Sequence, residues 1–506
     1  MNIYLVNHSY KYAVEQMLLT MFPDERPVYP EEPPDGNADY VVVELIRGSD
    51  SVEAQCQIHR GKRTYSGQAA MPNRELIDKL TEDRLLQRII KFSFYFAALK
   101  YTKKKPPWGA LTGIRPGKIA TDILRGDKST ELNETMASYT LTRYYDVDPE
   151  RAELCIDTAR AGLIAQSELG QRDICLYIGI PFCPSRCAYC SFVSQSTVRD
   201  ILLIPDFLQS LYREIDATAA LLRELKLNVI SVYIGGGTPT TLTAGDLAAL
   251  LSRVHGEFDL GAVREFTVEA GRPDTMTPEK LLVMARHGVT RVSVNPQSMS
   301  DDILRNIGRW HSAADVRRAV RDVRQYTDFD MNMDLIAGLP GDTPEGFEAS
   351  LSEVMSFTPE NITVHTLALK KGSRLALDDA PLPSADSVVR MLDTTASYLR
   401  GADYLPYYLY RQKFTLGGYE NVGWSINGHD SLYNMCIMEE LCSIISMGGG
   451  GSTKLCTGNG RIERIFNPKY PTEYIRDIER VIGDRSKMRD FFRKLFEEDE
   501  IESRYI

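Results

Sequence analysis

Short apolar runs alternate with amphipathic stretches through the middle of the chain. Where the apolar positions recur every three or four residues, the spacing predicts helices near 205–224, 244–255, 278–287, 313–326 and 344–356. The runs between them are short and rich in β-branched or aromatic residues, which predicts strands at CLYIGI (175–180), VISVYIGGG (229–237), EFTVEA (265–270), RVSVNP (291–296), MNMDLIAGLP (331–340) and NITVHTLAL (361–369). Such alternation predicts an α/β fold with a partial or complete parallel (β/α) barrel, whose chemistry gathers at the carboxyl ends of the strands.

The segments on either side of this core carry other patterns. Residues 38–67 have extended patterns, and residues 75–100 have a helical one in which 92–99 form a buried face. Beyond residue 381 follow a helix, a tyrosine-rich stretch, the glycine run 448–452 and a charged helical tail near 484–500. These shifts predict three parts, an α+β N-terminal accessory domain (1–165), the barrel core (170–380) and a C-terminal extension that completes the substrate site (381–506).

Charge and hydropathy argue against two kinds of partner, nucleic acid and membrane. The formal net charge of −10 disfavours sequence-independent binding of nucleic acid through its phosphates. No apolar stretch approaches the roughly 20 residues of a membrane-spanning helix, and the first residues lack a signal-peptide pattern. The sequence therefore predicts a cytoplasmic protein with no membrane span and no nucleic-acid partner.

Three of the nine cysteines lie within eight residues, directly after the first predicted strand of the core. Cys183, Cys187 and Cys190 form a C-x3-C-x2-C pattern, which predicts a metal site rather than disulfides. Three thiolates leave one iron of a [4Fe–4S] cubane open, and a small molecule with an amino and a carboxylate group, such as S-adenosylmethionine, can chelate it. The alternatives are a zinc site without its fourth ligand and a chance group of core thiols. Single, buried thiols are the interpretation for the remaining cysteines, Cys56, Cys155, Cys175, Cys436, Cys442 and Cys456.

Two further features sit where later strands end. Glycines in the run 234–240, IGGGTPT, allow the backbone to approach a ligand closely, although a structural turn is the alternative. Glu269 ends the strand EFTVEA, where a carboxylate can accept hydrogen bonds from ribose hydroxyls. Both positions are compatible with a nucleoside cofactor beside the cysteine loop.

The cysteine spacing resembles the radical S-adenosylmethionine superfamily. The phrases YIGIPFCPSRCAYCSF, YIGGGTPTTL, EFTVEAGRPD, RVSVNPQSM, IGRWH and MDLIAGLPGDT together resemble the oxygen-independent coproporphyrinogen III dehydrogenases and their heme-chaperone relatives. GIRPGK, PYYLYRQK, ENVGW, SLYN and MEE look most like the HemZ-type branch. The resemblance implies a radical S-adenosylmethionine barrel, a [4Fe–4S] cluster on Cys183, Cys187 and Cys190, and one or two molecules of S-adenosylmethionine.

The resemblance also implies roles for individual residues. The first cofactor molecule would be contacted by Tyr177, Tyr189, Gly236, Gly237, Thr238 and Glu269. A second S-adenosylmethionine would be contacted by Gln297, Arg309, Asp334 and Ala368. Each has a structural alternative, for example Arg309 as a helix-end cation or Asp334 as a strand-end cap.

The sequence departs from both groups of relatives. Ser191 and Phe192 follow Cys190, where the best-known dehydrogenases carry a further cysteine two residues on. The heme chaperones carry a His-Asn-x-x-Tyr-Trp motif, whereas residues 431–436 here read SLYNMC, with His429 nearby. The substrate is thus open to three interpretations: decarboxylation, heme carriage, or another radical reaction on a tetrapyrrole such as ring opening.

The first interpretation is oxidative decarboxylation of the two propionates of coproporphyrinogen III that become vinyl groups, yielding protoporphyrinogen IX. It implies a tetrapyrrole substrate, an electron donor such as flavodoxin or ferredoxin, and an electron acceptor that the sequence does not identify. The propionates would need cationic or hydroxyl partners, for which the candidates are Arg309, Arg411, Lys413, Tyr407, Tyr408 and Tyr410. Packing in an aromatic surface is the alternative for most of these tyrosines.

Overall fold

A computed structural model of the chain describes residues 1–23, 25–31, 39–126, 129–190, 195–196, 201–369, 373, 375, 381–412, 416–457 and 462–502. Its contacts group into two compact units. Unit 1 comprises Met1–Ile156 and Tyr410–Glu420, and unit 2 comprises Asp157–Leu409 and Asn421–Ile506. The division into 1–165, 170–380 and 381–506 stays a prediction.

Unit 1 is built on a mixed sheet with helices. Its strands, in spatial order, are β1 (Asn2–Val6), β2 (Tyr40–Arg47), β3 (Ser51–Arg60) and β4 (Arg63–Pro72). The first pair is parallel and the others are antiparallel. The helices that begin in this unit are α1 (Lys11–Met21), α2 (Lys79–Thr102), α3 (Gly117–Leu124), α4 (Thr130–Tyr139) and α5 (Pro149–Ser167). The predicted extended and helical patterns are confirmed over 40–67 and 79–100, and residue 38 lies outside the described residues.

Helix α2 covers this sheet. Its N-cap, Asp78, accepts hydrogen bonds from the backbone N–H groups of Leu80 and Thr81, which have no partner within the helix. Phe92 and Phe94 are buried on the helix, and α2 packs on β3 and β4. The apolar stretch 92–99 is therefore a buried helix face, as predicted.

Unit 2 contains a long sheet whose strands are parallel at its centre. Within the described residues the spatial order is β13-β14-β12-β11-β10-β9-β8-β5-β15-β16-β17. These strands are β5 (Asp173–Ile180), β8 (Asn228–Gly236), β9 (Glu265–Glu269), β10 (Arg291–Ser293), β11 (Asp330–Ala337), β12 (Asn361–Thr366), β13 (Leu405–Arg411), β14 (Glu420–Ser425), β15 (Ser443–Gly448), β16 (Ser452–Cys456) and β17 (Ile462–Phe466). A separate short pair comprises β6 (Phe182–Cys183) and β7 (Gln195–Ser196). The order is linear, so the barrel is partial.

The helices of unit 2 run between the strands and after them. They are α6 (Ile204–Leu225), α7 (Ala244–Glu257), α8 (Pro278–Arg286), α9 (Asp301–Asn306), α10 (Ala313–Tyr326), α11 (Pro344–Ser356), α12 (Ala385–Gly401), α13 (Leu432–Glu439), α14 (Pro471–Arg476), α15 (Ile478–Gly483) and α16 (Arg485–Glu502). The predicted strand–helix alternation is confirmed, and all six predicted core strands are mutually parallel along the sheet. Strand β10 ends three residues earlier than the apolar run, close to Pro296, which lacks a backbone N–H for the ladder.

The C-terminal segment supplies strands to the same sheet. Strand β15 pairs in parallel with β5, opposite β8, and β14 pairs antiparallel with β12. The buried carboxylate of Glu214 on α6 holds the end of β15 and the segments after it. It accepts hydrogen bonds from the Gly448 N–H (2.7 Å) and Asn467 Nδ2 (2.8 Å), and it pairs with Arg485 (2.6 Å). The first predicted strand of the core, β5, is therefore an interior strand of the sheet, with β8 on one side and β15 from the C-terminal segment on the other.

None of the described helices combines the length and the apolar character needed to cross a membrane.

Candidate cofactor site at the carboxyl ends of the strands

The three clustered cysteines lie on the loop after β5, at the carboxyl edge of the sheet. Cys183 belongs to β6, and the Cys190 N–H donates to the Cys187 carbonyl (3.2 Å) in a tight turn. The Ala188 N–H donates to the Ile307 carbonyl (2.8 Å), which attaches the loop to the end of α9. All three thiols are half-buried, so their sulfur atoms are within reach of a ligand. Ser191 and Phe192 lie outside the described residues.

A buried guanidinium lies against this loop. Arg272 Nη1 is 3.8 Å from Cys187 Sγ and 2.9 Å from Ser185 Oγ, and Nε pairs with Asp274 (3.1 Å). Only 2% of Arg272 is exposed. A cation here would offset the negative charge of a thiolate that ligates a metal. The residue sits in the phrase EFTVEAGRPD, yet sequence reasoning missed it because an arginine after a strand has no distinctive spacing.

The glycine run lies beside the cysteine loop. A Cβ on Gly237 would be 2.5 Å from the Phe182 carbonyl oxygen, so only glycine allows β8 and the start of the loop to meet here. The Thr238 N–H donates to the same carbonyl (2.7 Å), and Thr238 Oγ1 is 3.4 Å from Cys183 Sγ. Gly236 has φ +105°, a conformation that side chains rarely adopt. The run therefore shapes the cysteine loop, and its contact with the cofactor stays a prediction.

Glu269 ends β9 inside a group of aromatic rings. Tyr233 Oη donates to Glu269 Oε1 (2.5 Å). Burial raises the pKa of the Glu269 carboxyl to about 7, although this hydrogen bond acts to lower the pKa. The rings of Tyr177, Tyr233 and Tyr433 stack, with centroids 6.2, 6.2 and 4.3 Å apart. Burial raises the pKa of the Tyr177 phenol, and the charge of Glu269 adds to the shift. Sequence reasoning missed Tyr233 and Tyr433, although YIGGG and SLYN contain them.

Arg309 joins three loops at the same edge. Its Nη2 donates to Tyr189 Oη (3.0 Å), and its Nη1 donates to the carbonyls of Gly271 (3.0 Å) and Asn295 (2.8 Å). Arg309 is 8% exposed, so its planar fork fixes the cysteine loop against the loops after β9 and β10. Tyr189 and Arg309, which the resemblance assigned to two different cofactor molecules, are in direct contact.

The remaining predicted positions follow the neighbouring strands. The Gln297 N–H donates to the Asp334 carbonyl (2.8 Å), and Gln297 has a left-handed backbone with φ +67°. Asp334 accepts a hydrogen bond from Asn332 Nδ2 (2.8 Å) and lies 3.7 Å from His365 Nε2. Ala368 lies two residues after β12. The structure therefore brings Gln297 and Asp334 together and places Ala368 after an adjacent strand.

Several buried polar atoms here have no partner in the protein. Among the described residues they include Asn295 Oδ1, Gln297 Oε1 and Arg309 Nε. Leaving such an atom unsatisfied costs about 1–3 kcal/mol, so a polar ligand that reaches them would be bound favourably. Three half-buried thiols beside a cation, a carboxylate with acceptor capacity and these atoms fit an iron–sulfur cluster together with a nucleoside-containing amino acid.

The other predicted substrate partners have contacts elsewhere. In unit 1, Arg411 donates to the carbonyls of Leu111 and Gly418 and lies over the ring of Trp108, and burial lowers its pKa to about 10. These hydrogen bonds engage Nε and Nη1 of the guanidinium, and a role of Arg411 toward a propionate stays a prediction. Tyr407 and Tyr408 are buried, in agreement with their packing alternative. Tyr410 Oη accepts from Gln412 Nε2 (3.1 Å), and Lys413 lies outside the described residues.

Cys175, Cys436 and Cys442 are buried thiols, as predicted. They do not lie singly, however, because their sulfur atoms are all within 4.8 Å of one another. Cys175 and Cys442 are 267 positions apart along the chain, so they gave no spacing signal, and only the pairing of β15 with β5 brings them together. His429, the histidine nearest the expected heme motif, pairs with Asp330 (2.8 Å).

Comparison with known proteins agrees with this geometry. Residues 177–354 match the Radical SAM superfamily. The chain is 37% identical over 396 residues to the oxygen-independent coproporphyrinogen-III oxidase-like protein HemZ of Bacillus subtilis, covering 77% of this chain and 78% of that protein. It is 28% identical over 304 residues to the heme chaperone HemW of Haemophilus influenzae, covering 60% and 75%. The solved structure of coproporphyrinogen III oxidase (HemN) from Escherichia coli, described as a radical SAM enzyme, shares the fold with a TM-score of 0.50 and 21% identity, covering 63% of this chain and 72% of that one.

Proposed function

Because the chain belongs to the radical S-adenosylmethionine superfamily, in the family of the oxygen-independent coproporphyrinogen-III oxidase-like proteins, we propose that it oxidatively decarboxylates two propionates of coproporphyrinogen III. The cofactors of the superfamily are a [4Fe–4S] cluster and S-adenosylmethionine. The observation that carries the proposal is the group of unpartnered buried atoms on Asn295, Gln297 and Arg309, of which Arg309 contacts Tyr189 of the cysteine loop. A second polar ligand at these atoms favours an enzyme that carries out repeated radical reactions over a protein that only carries heme.

In the proposal, each group at the carboxyl edge has a role. Cys183, Cys187 and Cys190 would hold three irons of the cluster, and Arg272 would offset the negative charge near Cys187. When bound and reduced, the cluster and S-adenosylmethionine would supply the radical chemistry that removes a hydrogen atom from the substrate. Glu269, ionised, accepts the ribose hydroxyls, while Gly236, Gly237 and Thr238 border the methionine end, and Tyr177 and Tyr189 contact the molecule.

A second S-adenosylmethionine would be bound by Gln297, Arg309, Asp334 and Ala368. Gln297 Oε1 and Arg309 Nε have hydrogen-bonding capacity to offer, since neither has a protein partner among the described residues. The Asp334 carboxylate would balance a positive sulfonium or ammonium group. Arg309 would also hold Tyr189 against the first cofactor molecule, so it couples the two positions.

The proposed reaction balances without oxygen. The propionate β-carbon loses a hydrogen atom, the substrate passes one electron to an external acceptor, and carbon dioxide leaves to give a vinyl group. Two such rounds convert coproporphyrinogen III into protoporphyrinogen IX. A flavodoxin or ferredoxin supplies the electron that starts each round, and the acceptor is a separate partner.

The experiment is an anaerobic assay with reconstituted, reduced protein, S-adenosylmethionine, coproporphyrinogen III and an electron acceptor. We expect two molecules of 5′-deoxyadenosine and two of carbon dioxide for each protoporphyrinogen IX over several turnovers. Cys187→Ala should abolish both products, and the matched control Cys56→Ala, a buried cysteine of unit 1, should retain them. Formation of 5′-deoxyadenosine without any decarboxylated product would disprove the proposed substrate.

Heme carriage is the second candidate, because HemW proteins are among the relatives. The contact of His429 with Asp330 and the stretch SLYNMC in place of the heme motif weigh against it. Stoichiometric heme binding without porphyrinogen turnover would establish a carrier, and consumption of heme would establish another radical reaction on a tetrapyrrole.

A further inference from the structure

Three thiols from distant parts of the chain meet near the amino end of β5. The Sγ atoms of Cys175, Cys436 and Cys442 all lie within 4.8 Å of one another, and those of Cys175 and Cys442 are 3.7 Å apart. Cys175 is the third residue of β5, Cys436 is on α13, and Cys442 directly precedes β15. This group, the buried thiol triad, lies at the end of the strand opposite to the cysteine loop.

The fold holds each thiol of the buried thiol triad in place. The parallel register pairs Ser443 with Ile174 and Ile444 with Cys175, so Cys442 enters the sheet beside the start of β5. The Leu441 N–H donates to the Cys436 carbonyl (3.2 Å), closing the turn between α13 and β15. Two of the thiols are therefore in adjacent chain segments and the third is on the strand they flank.

The surroundings of the buried thiol triad are apolar and buried. Its three cysteines belong to a buried apolar cluster that also contains Ile230, Leu432, Tyr433 and Ile444. Cys175 and Cys436 have no exposed surface, and Cys442 has 6%. Small apolar side chains would fill this space without bringing sulfur atoms together, so packing alone does not account for three thiols at contact distance.

We propose that the buried thiol triad binds one thiophilic metal ion, Zn²⁺ or Cu⁺, through three thiolates. At the metal–sulfur distance of about 2.3 Å, ligand sulfurs lie roughly 3.8–4.0 Å apart, close to the 3.7 Å between Cys175 and Cys442. Thiolates select these ions over hard cations. The three thiols release three protons on binding, and no electron is transferred.

The bound ion would stabilise the contact between three separate elements. It ties α13 and β15, which come late in the chain, to β5, which begins the core. Tyr433 on α13 stacks on Tyr177 and Tyr233, and Tyr233 donates to Glu269. Loss of the ion would therefore loosen the aromatic group beside Glu269 while leaving the cysteine loop in place.

The test measures zinc, copper and iron in full-length protein purified anaerobically under reducing conditions. Wild type should hold about one equivalent of zinc or copper, and the element found distinguishes the two ions. Cys436→Ser should lose at least tenfold of that metal, whereas the matched control Cys56→Ser should retain it, since Cys56 is equally buried in unit 1. A Cys183→Ala, Cys187→Ala, Cys190→Ala protein should lose iron and retain the zinc or copper.

Unfolding measurements cover the case in which a variant folds poorly. A strong zinc or copper chelator should lower the unfolding midpoint of wild type and of Cys56→Ser, and leave that of Cys442→Ala unchanged. The proposal is overturned if wild type takes up neither ion when supplied one equivalent, if Cys436→Ser retains the metal, or if mass spectrometry finds a Cys175–Cys442 disulfide in the reduced preparation. It does not depend on the proposed reaction, because each readout is metal content or stability.

Discussion

The two ends of the parallel sheet use the same residue types for different purposes. At the carboxyl end, Cys183, Cys187 and Cys190 follow one another on a half-buried loop. At the amino end, Cys175, Cys436 and Cys442 come from three separate elements and face an apolar core. The half-buried loop leaves its thiols within reach of a large cofactor, whereas the core encloses the thiols at the amino end, so we expect the two groups to have different roles.

Two glutamates of β9, four residues apart, show the same contrast between the amino and carboxyl ends of the sheet. Glu265 begins the strand and accepts hydrogen bonds from the Leu432 N–H (2.8 Å) and Ser431 Oγ (3.1 Å), which caps α13. Its Oε2 also lies 3.6 Å from Arg291 Nε. Glu269 ends the strand with fewer donors, the Tyr233 hydroxyl and the Gly236 backbone N–H, and burial raises its pKa. A carboxylate saturated with donors stabilises the fold, and one with spare capacity can bind a ligand.

The largest effect should come from Cys187→Ala at the carboxyl end. Without its third protein ligand the cluster cannot form, so 5′-deoxyadenosine production should fall by at least about a thousandfold. Since Cys187 is half-buried on a loop, the free energy of unfolding of the apoprotein should change by less than about 1 kcal/mol. Iron analysis, turnover and urea denaturation check both parts, and an apoprotein strongly destabilised by this change would break the comparison.

Glu265→Gln should give the opposite result. It removes the charge that caps α13 and faces Arg291, so the free energy of unfolding should fall by about 2 kcal/mol. The matched variant is Glu269→Gln, which should leave stability at pH 8 the same or higher, because burial disfavours the ionised carboxyl there. Urea denaturation of both proteins tests this, and equal losses of stability would contradict the distinction between the two ends.

The affinity for S-adenosylmethionine should depend on pH through Glu269. The pKa is raised to about 7 and the ribose hydroxyls need the ionised form, so the dissociation constant should rise about tenfold for each unit below pH 7 and level off above it. Calorimetric titration between pH 5.5 and pH 8.5 measures it. In Glu269→Gln the profile should be flat over this range, and a slope that persists would assign the titration to another group.

The smallest effect should come from Tyr233→Phe. The variant keeps the ring stack and removes the hydroxyl that donates to Glu269, a bond that favours the charged carboxyl. The midpoint of the same pH profile should therefore move upward, with little change in affinity at pH 8.5. Tyr433→Phe is the control, since it also keeps the ring stack and removes a hydroxyl of the same group, while the hydroxyl that donates to Glu269 belongs to Tyr233. An equal movement of the midpoint in both variants would contradict the role given to this hydrogen bond.

Periodicity predicted most of the core. The six strands from CLYIGI to NITVHTLAL and the helices between them lie where the apolar spacing placed them, because burial on a repeating strand–helix unit leaves a strong local pattern. The cysteine loop was visible for the same reason, as its three residues are close in sequence. Their roles as cluster ligands, and those of the cofactor contacts, stay predictions.

Features that depend on distant pairing could not be predicted in this way. Strand β15 is fully buried between β5 and β16, but SIISMG is too short to distinguish an interior strand from a piece of helix. The buried thiol triad results from that pairing, and so was interpreted as lone thiols. Arg272 and Tyr233 acquire their roles from one contact each, with Cys187 and Glu269, which no local pattern records.

The position of β15 also has a consequence for how the chain is made. Roughly 260 residues separate the end of β5 from the start of β15, and at about 5–20 residues per second a ribosome needs roughly 13–50 s to synthesise them. During this interval one side of β5 lacks its neighbour and exposes unpaired backbone groups, the kind of edge that recruits strands from other molecules. The nascent chain therefore has a period of vulnerability to aggregation that ends only when β15 has left the ribosome.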